Sequence, residues 1–217
     1  MLSPKLISGG IVLVDASSGK LQRVIALQYN PASVSRTLQA QWYEPQQGAE
    51  RSERLRIKGP PVETIKIEAE IDATDQLEYA GQNETTVEFG VQPQLAALEM
   101  LVFPTSAQLE SNNTLAGGGT LEIVPMEAPL TLFVWSKQRV VPVRITDFSV
   151  TEEFFDTQLN PIQAKVSLGM RVLSVVDLGF NHRGGQYFMH YHKTKEDLAR
   201  KAPGSELGAL GLRRLPV

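Results

Sequence analysis

The chain has 217 residues, of which 21 are basic and 24 acidic, so its formal net charge is −3. It contains no cysteine, which excludes a disulfide framework, a thiolate zinc site, an iron–sulfur cluster and a cysteine nucleophile. The near balance of charge lacks the basic excess of a nucleic-acid-binding protein, and no window approaches the ~18 apolar residues of a spanning helix. We therefore expect a globular chain kept in the cytosol, with no nucleic-acid partner and no direct membrane insertion.

The first predicted element is a β-hairpin. Apolar residues at Ile11 and Leu13, and again from 21 to 27, flank a small polar stretch at 16–19 that is typical of a turn. Pro31 ends the second strand, because proline has no N–H to continue a ladder.

A charged segment and an amphipathic strand follow. Residues 44–61 are polar, charged and bounded by prolines, which predicts a long loop or an extended arm. From Ile65 to Ile71, apolar residues alternate with Lys66, Glu68 and Glu70, which predicts a strand with one buried and one solvated face. A solvated face is a simpler interpretation of these carboxylates than a glycosidase pair, and the same holds for the pair at 152–153.

The middle of the chain carries the principal predicted helix. Leucines and other apolar residues between 91 and 103 follow helical spacing, Pro93 suits a first turn, and Pro104 ends the run. Residues 105–120 are small, polar and glycine-rich, and we expect a flexible loop there.

Alternation returns in the second half and predicts three strands, at 130–134, 141–148 and 162–176, joined by turns at 135–139 and 152–161. Such a succession is typical of an antiparallel meander. A short helix is expected at 194–202, with Thr194 as its N-cap. The predicted organisation is a mainly β domain with one principal helix at 1–176, and an appendage with a short helix at 177–217.

The histidines are the only candidates for metal chemistry. His190 and His192 would share one face of a strand, and His182 could be a third ligand of a small metal-dependent enzyme. However, the acidic residues nearby have no ligand spacing, and the flanking aromatic residues favour packing. A nucleophile elbow and a phosphate loop are both absent from the sequence. We expect no catalytic residue, no metal site and no cofactor, so the chain is not predicted to be an enzyme.

Several stretches have the sequence and the order of a known family. They are 24–31 (VIALQYNP), 60–72 (PPVETIKIEAEID), the helix 94–103, and the meander segments 129–135 (PLTLFVW), 143–148, 152–155 and 160–166 (NPIQAKV). Together, over residues 5–176, they resemble the tube-type domain of contractile injection systems, the phage-tail-like particles. The resemblance is in particular to the tube–baseplate adaptor that often carries a LysM tail. Residues 177–217 show neither the Gly-Asp-[Ser/Thr]-Leu start nor the Asn-x-x-x-Pro region of a LysM module.

The resemblance implies a split β-barrel that assembles into a ring, expected to be a hexamer, whose strands join those of neighbouring copies around a hollow tube. It implies the inner tube protein, the spike hub and the baseplate and sheath proteins as partners, within a particle assembled in the cytoplasm. Such a domain should present polar residues to the lumen and pack the opposite strand face on its helix.

Candidate interface residues lie at two places. They are Arg54, Arg56 and Lys58 on the predicted arm, and Phe154, Phe155 and Pro161 at the last meander turn. Core packing is the alternative for the aromatic residues. The alternative function is a carbohydrate- or peptidoglycan-binding β module, which needs a row of exposed aromatics, whereas Trp42, Tyr43 and Trp135 are scattered along the sequence.

Overall fold

The computed structural model describes residues 7–43, 55–117, 128–204 and 206–216. The strands are β1 (Gly10–Val14), β2 (Leu21–Ala26), β3 (Val34–Trp42), β4 (Ile57–Asp72), β5 (Leu130–Ser136), β6 (Arg139–Phe155) and β7 (Pro161–Val172). The α-helices are α1 (Thr74–Glu78), α2 (Glu84–Phe89), α3 (Gln92–Glu99), α4 (Ser106–Gly117), α5 (Val175–Leu178) and α6 (Arg183–Lys201).

The seven strands form one antiparallel sheet in the order β2-β1-β5-β6-β7-β4-β3. The prediction of a mainly β, antiparallel fold is confirmed. The sheet is open, with β2 at one edge and β3 at the other. The segment that joins β2 to β3 crosses from one edge of the sheet to the other. The longest helix is α6 rather than the predicted helix at 91–103, which is present as the shorter α3.

The opening hairpin is confirmed, and one carboxylate explains its turn. Asp15 accepts hydrogen bonds from the backbone N–H of Ser18 (2.6 Å) and from the hydroxyl of Ser17 (2.7 Å). These bonds hold the pKa of Asp15 far below its ordinary value. An Asp at the start of a turn closes the backbone on itself in this way.

Alternation along β4 and β7 builds the main core. Ile65, Ile67, Ala69 and Ile71 of β4 are buried beside the equally buried even-numbered residues of β7 from 164 to 172. Because successive strand residues point to opposite faces, this row places all its apolar side chains on one side.

Two helices cover that core. Leu95 and Leu98 of α3 pack against it, and so do Phe188 and Tyr191 of α6. The region predicted as an appendage therefore contributes side chains to the main hydrophobic core. The domain boundary at residue 176 itself stays a prediction.

The predicted start of the C-terminal helix is wrong, because α6 begins at Arg183 and Thr194 lies inside it. The N-cap is His182, whose Nδ1 accepts a hydrogen bond from the N–H of Gly184 (3.0 Å). Glycine at 185 lets the first helical turn approach the chain that precedes it, since a Cβ there would collide with the carbonyl of Gly179. Glycines that disfavour a helix by propensity are thus required here by packing.

The loop predicted at 105–120 is also wrong over its described part, because 106–117 form α4. The helix begins with a reciprocal cap. The N–H of Gln108 donates to the hydroxyl of Thr105 (3.3 Å), and the N–H of Thr105 donates to the side-chain oxygen of Gln108 (3.0 Å). This Thr-x-x-Gln capping box is present in the sequence and outweighs the small, polar composition.

The structure also differs from the predictions in the bounds of several elements and in elements that were not predicted. Residues 57–61 of the predicted arm belong to β4, and 44–54 lie outside the described residues. The turn predicted at 152–161 is confined to 156–160, because β6 continues to Phe155. The last strand ends at Val172 rather than 176. The sequence did not predict β3, α1 or α2.

Replacing Gly90 should destabilise the fold. Its φ is +58°, and an added Cβ would collide with the carbonyl oxygen of Pro161. We expect Gly90→Ala to lower the free energy of unfolding by about 1–3 kcal/mol. Gly81→Ala is the matched control, because no atom lies within 4 Å of a Cβ at that position. Urea unfolding of both variants measures the difference, and equal stability would contradict the packing described here.

Candidate assembly surfaces

The two edges of the sheet are the first candidate surface. Large apolar side chains are exposed on both edge strands, Leu21 and Val24 on β2 and Leu38 and Trp42 on β3. Edge strands present unpaired backbone groups, and proteins commonly protect them with charged residues or proline. The edge strands do carry Arg23 and Arg36, but the apolar side chains exposed on both free edges favour pairing with another chain.

The second candidate surface is the polar face of β4, β7 and β6, opposite the core. Cross-strand rows run Glu70–Lys165–Thr151, Glu68–Ser167–Ser149 and Thr64–Arg171–Arg144. Acidic side chains concentrate at the Glu70 end, where Lys165 donates to Glu153 (3.0 Å). This pairing, with Glu153 as the main cause, raises the pKa of Lys165. The face is hydrophilic and of mixed sign, as the amphipathic pattern predicted.

The third candidate surface is the tip of the β6–β7 hairpin, residues 152–160. Phe154, Phe155 and Leu159 are 69%, 50% and 76% exposed there. Phe154 and Leu159 have positive φ angles of 54° and 66°. Bulky residues rarely adopt this conformation, and it is retained where the surrounding structure imposes it. The tip therefore displays three large apolar side chains in a fixed, strained conformation.

Asp156 closes the turn that contains Leu159. Its carboxylate accepts hydrogen bonds from the side-chain amide of Asn160 (2.9 Å) and from the backbone N–H groups of Asn160 and Gln158 (both 2.8 Å). These bonds, first the one from the Asn160 side chain, lower the pKa of Asp156. Asn160 also donates to the carbonyl of Glu88 (3.0 Å), and the N–H of Val91 donates to the carbonyl of Pro161 (2.9 Å). The tip is thus attached to the segment between α2 and α3.

A cleft of about 350 Å³ is the fourth candidate surface. It lies between residues 23–28 at the end of β2, residues 69–71 of β4, and α3. The β3 strand pairs with β4 only as far as Ile67, so the next residues of β4 have no strand neighbour on that side. Gln28 bridges part of the gap, because its side chain donates to the carbonyl of Asp72 (2.7 Å) and accepts from the N–H of Asp72 (3.0 Å). The cleft thus lies between the edge strand β2 and the part of β4 that β3 does not cover.

A buried carboxylate ties the β3 edge to α6. Glu63 accepts hydrogen bonds from Arg36 of β3 (2.8 Å), from the hydroxyl of Tyr191 (3.0 Å) and from Lys195 (3.0 Å). The ammonium of Lys195 also lies 4.0 Å from the centroid of the Tyr191 ring. Burial opposes ionisation of Glu63, but the hydrogen bonds and charges of Lys195 and Arg36 outweigh it and lower its pKa. The sequence analysis missed this cluster, because its members are distant in sequence.

The predicted interface residues occupy different environments. Arg54 lies outside the described residues. Arg56 and Lys58 are exposed, the second on β4 rather than on a loop. Phe154 and Phe155 are together at the exposed hairpin tip, whereas Pro161 is fully buried and helps to anchor that tip. Leu159 was missed, although an isolated leucine in a polar turn was a signal.

The histidines do not converge. His182 caps α6, and His190 and His192 lie on a helix, where residues two apart face different directions. His192 stacks on Phe188 and lies 3.3 Å from Glu196. Within the described ranges, no group of three His, Cys, Asp or Glu side chains is arranged to hold a metal ion.

The two tryptophans lie on separate strands of the sheet. Trp42 lies on β3, and Trp135 lies on β5, where it is half-buried and stacks on Phe133. Three strands separate β3 from β5 in the sheet. Of the helices that the structure describes, none has the length and apolar character needed to cross a membrane.

Comparisons with known proteins gave two kinds of result. No family model and no curated protein matches the chain. Among solved structures, it is similar to a chain in the tail of an empty GTA particle with C6 symmetry, at 14% identity and a TM-score of 0.31, over 76% of this chain and 90% of that chain. It is also similar to a chain in the virion of a native gene transfer agent (GTA) particle, at 11% identity and a TM-score of 0.29, over 80% and 95%. These TM-scores are too low for either likeness to carry an argument about this chain.

Removing the charge of Glu63 should loosen the β3 edge. We expect Glu63→Gln to lower the free energy of unfolding at pH 7 by about 2 kcal/mol or more, because Arg36 and Lys195 lose their shared counter-charge. The folded-state pKa lies below 4.5, so the advantage of the wild type is complete above pH 4.5 and declines as the pH falls through that lowered pKa.

Urea unfolding at pH 7 and at pH 3 tests both points. Asp197→Asn is the matched control, since its pair with Arg200 is exposed and should contribute at most about 0.5 kcal/mol. If Glu63→Gln and Asp197→Asn had the same free energy of unfolding, the hydrogen bonds and ion pairs of Glu63 would not be what connects β3 to α6.

Proposed function

We propose that this chain is a structural component of a phage-tail-like contractile injection particle. In this proposal it forms a ring, a hexamer, that joins the inner tube to the spike hub and the baseplate, and it is assembled in the cytoplasm. Its partners are further copies of itself, the inner tube protein, the spike hub, and baseplate and sheath proteins. Its role is assembly, and no catalytic step, cofactor or nucleic-acid contact is assigned to it.

One observation carries the proposal: the sheet is open, and both of its edges bear exposed apolar side chains. An element with two different free edges can pair the β2 edge of one copy with the β3 edge of the next. Such a contact is heterologous, because two different surfaces meet. Heterologous contacts close into a ring when the rotations sum to a full turn.

Strands β4, β6 and β7 have one apolar face and one polar face, which is consistent with the wall of a tube. Apolar residues from these strands face the core under α3 and α6, while Glu68, Lys165 and Ser149 lie on the opposite face. A lumen through which water and cargo pass requires such a hydrophilic wall. Charges of both signs would also limit the binding of a cargo of either charge.

The sequence resemblance is the second support. Stretches at 24–31 and 60–72 and the segments 129–135, 143–148, 152–155 and 160–166 follow the order of the tube–baseplate adaptor family. In the fold they lie mainly on β2, β4 and the β5–β7 meander. The lack of a LysM pattern at 177–217 leaves contacts with peptidoglycan outside the proposal.

Removing the chain from cells that produce such particles tests the function. We expect the number of intact contractile particles to fall at least tenfold, with tubes missing or uncapped in negative-stain images. Restoring the wild-type chain from a plasmid should recover them. Normal particles in the deletion strain would refute the proposed role.

Charging one edge of the sheet tests the ring in the same complementation assay. Leu38→Lys places an ammonium on the β3 edge and should lower the particle count at least tenfold, because the pairing of edges would bury an unpaired charge. Leu115→Lys on α4 is the matched control, since the two leucines are 50% and 53% exposed. Equal particle counts for the two variants would argue against pairing through β3.

A further inference from the structure

The hairpin tip and the cleft have complementary properties. The tip presents Phe154, Phe155 and Leu159 to solvent, held by Asp156. Its shape is already fixed, so binding would cost little conformational entropy. Exposed apolar side chains that are clustered and rigid are characteristic of contact sites rather than of ordinary surface.

The cleft offers an apolar surface of suitable size. Leu27, Ile71 and Leu98 are buried residues that line it, and Pro93 and Ala97 of α3 form one side. A cavity of about 150 Å³ accommodates benzene, so a cleft of about 350 Å³ has room for about two large apolar side chains.

Each surface carries an exposed residue whose charge is opposite to that of a residue on the other surface. Glu152 is exposed at the first position of the tip, and Arg23 is exposed at the cleft. Neither makes an ion pair with a residue in the described ranges. Glu70, the acidic residue that also lines the cleft, accepts a hydrogen bond from Gln163 (3.1 Å). The cleft therefore carries one cation, Arg23, and one anion, Glu70, and Arg23 is the group of opposite charge to Glu152.

The two surfaces can be used at the same time. The tip consists of residues 152–160, and the cleft is lined by β2, β4 and α3, so they share no residue. The tip residues are exposed in their own chain, and bonds to Glu88 and Val91 fix the hairpin beside α2 and α3. One copy could thus donate its tip to one neighbour and accept the tip of another.

We propose that the hairpin tip of one copy inserts into the β2–β4 cleft of the next copy, with Glu152 of the first facing Arg23 of the second. This contact rests on the proposed ring and specifies how its neighbours are joined. It is heterologous, as a ring requires. It covers apolar side chains at the tip and fills the cleft.

The absence of native cysteines permits a direct test by cross-linking. A chain with Leu159→Cys and Ala97→Cys is expressed in place of the wild type, and assembled particles are treated with a short bismaleimide. We expect a ladder of dimers and higher multimers of this chain on denaturing gels. The control pair, Leu159→Cys with Leu115→Cys, should give at least tenfold less product, because Leu115 is exposed on α4, away from the cleft.

The outcomes separate this contact from the proposed function. Intact particles that contain the chain but give no ladder would overturn the contact and leave the function standing. Equal ladders from the two pairs, or a product joined to a different protein, would overturn it as well. Intact particles without the chain would instead refute the proposed function.

Charge reversal tests the contact between tip and cleft in a chain without cysteines. It therefore still tests the contact if the cysteine variants do not assemble into particles. Arg23→Glu and Glu152→Arg should each lower the particle count at least tenfold, because like charges would then face each other. The double variant should recover most of the loss. Thermal unfolding confirms that each variant folds, and a double variant no better than the single ones would overturn the pairing.

Discussion

The arrangement of the whole fold depends on strand β7, along which buried apolar residues alternate with residues that face away from the core. This strand is hydrogen-bonded to β6 on one side and to β4 on the other over nearly its whole length. Its even-numbered residues from Ala164 to Val172 are buried, so the opposite row must face away from the core. A shift of one residue would exchange the two faces. The hydrophobic core, the polar face and the direction of the β6–β7 hairpin are therefore determined together.

The candidate surfaces follow from this central ladder. Since β6 and β7 continue beyond the core, their turn extends past it and carries Phe154 and Leu159 outward, both at positive φ, and the bonds between Asp156 and Asn160 close this turn. Since β3 pairs with β4 only as far as Ile67, the following residues of β4 have no strand neighbour on that side, and a cleft remains beside β2. The register of β4, β7 and β6 places the cleft residues and the hairpin tip at the same end of the ladder.

Electrostatics has a structural role in this molecule. Glu63 is a buried carboxylate surrounded by Arg36, Lys195 and the hydroxyl of Tyr191. Such an arrangement could suggest an active site, because perturbed pKa values often occur at catalytic centres. Arg36 lies on the edge strand β3, and Tyr191 and Lys195 lie on helix α6. All three donate to the same carboxylate, which therefore connects the strand to the helix. This arrangement fixes the orientation of the edge strand relative to the helix.

The sequence by itself determined the opening hairpin, the amphipathic strand at 65–71, the helix near 92–99 and the meander, because hydrophobic periodicity and proline positions are local signals. It also identified Phe154 and Phe155 as candidate contacts. Tertiary structure decided the rest. Helix α6 begins eleven residues before the predicted Thr194, since close packing against Gly179 requires the glycines that local propensity disfavours. Strand β3 has most of its side chains exposed, so its existence depends on pairing with β4. The Glu63 cluster and the cleft join residues far apart in sequence, and only folding brings them together.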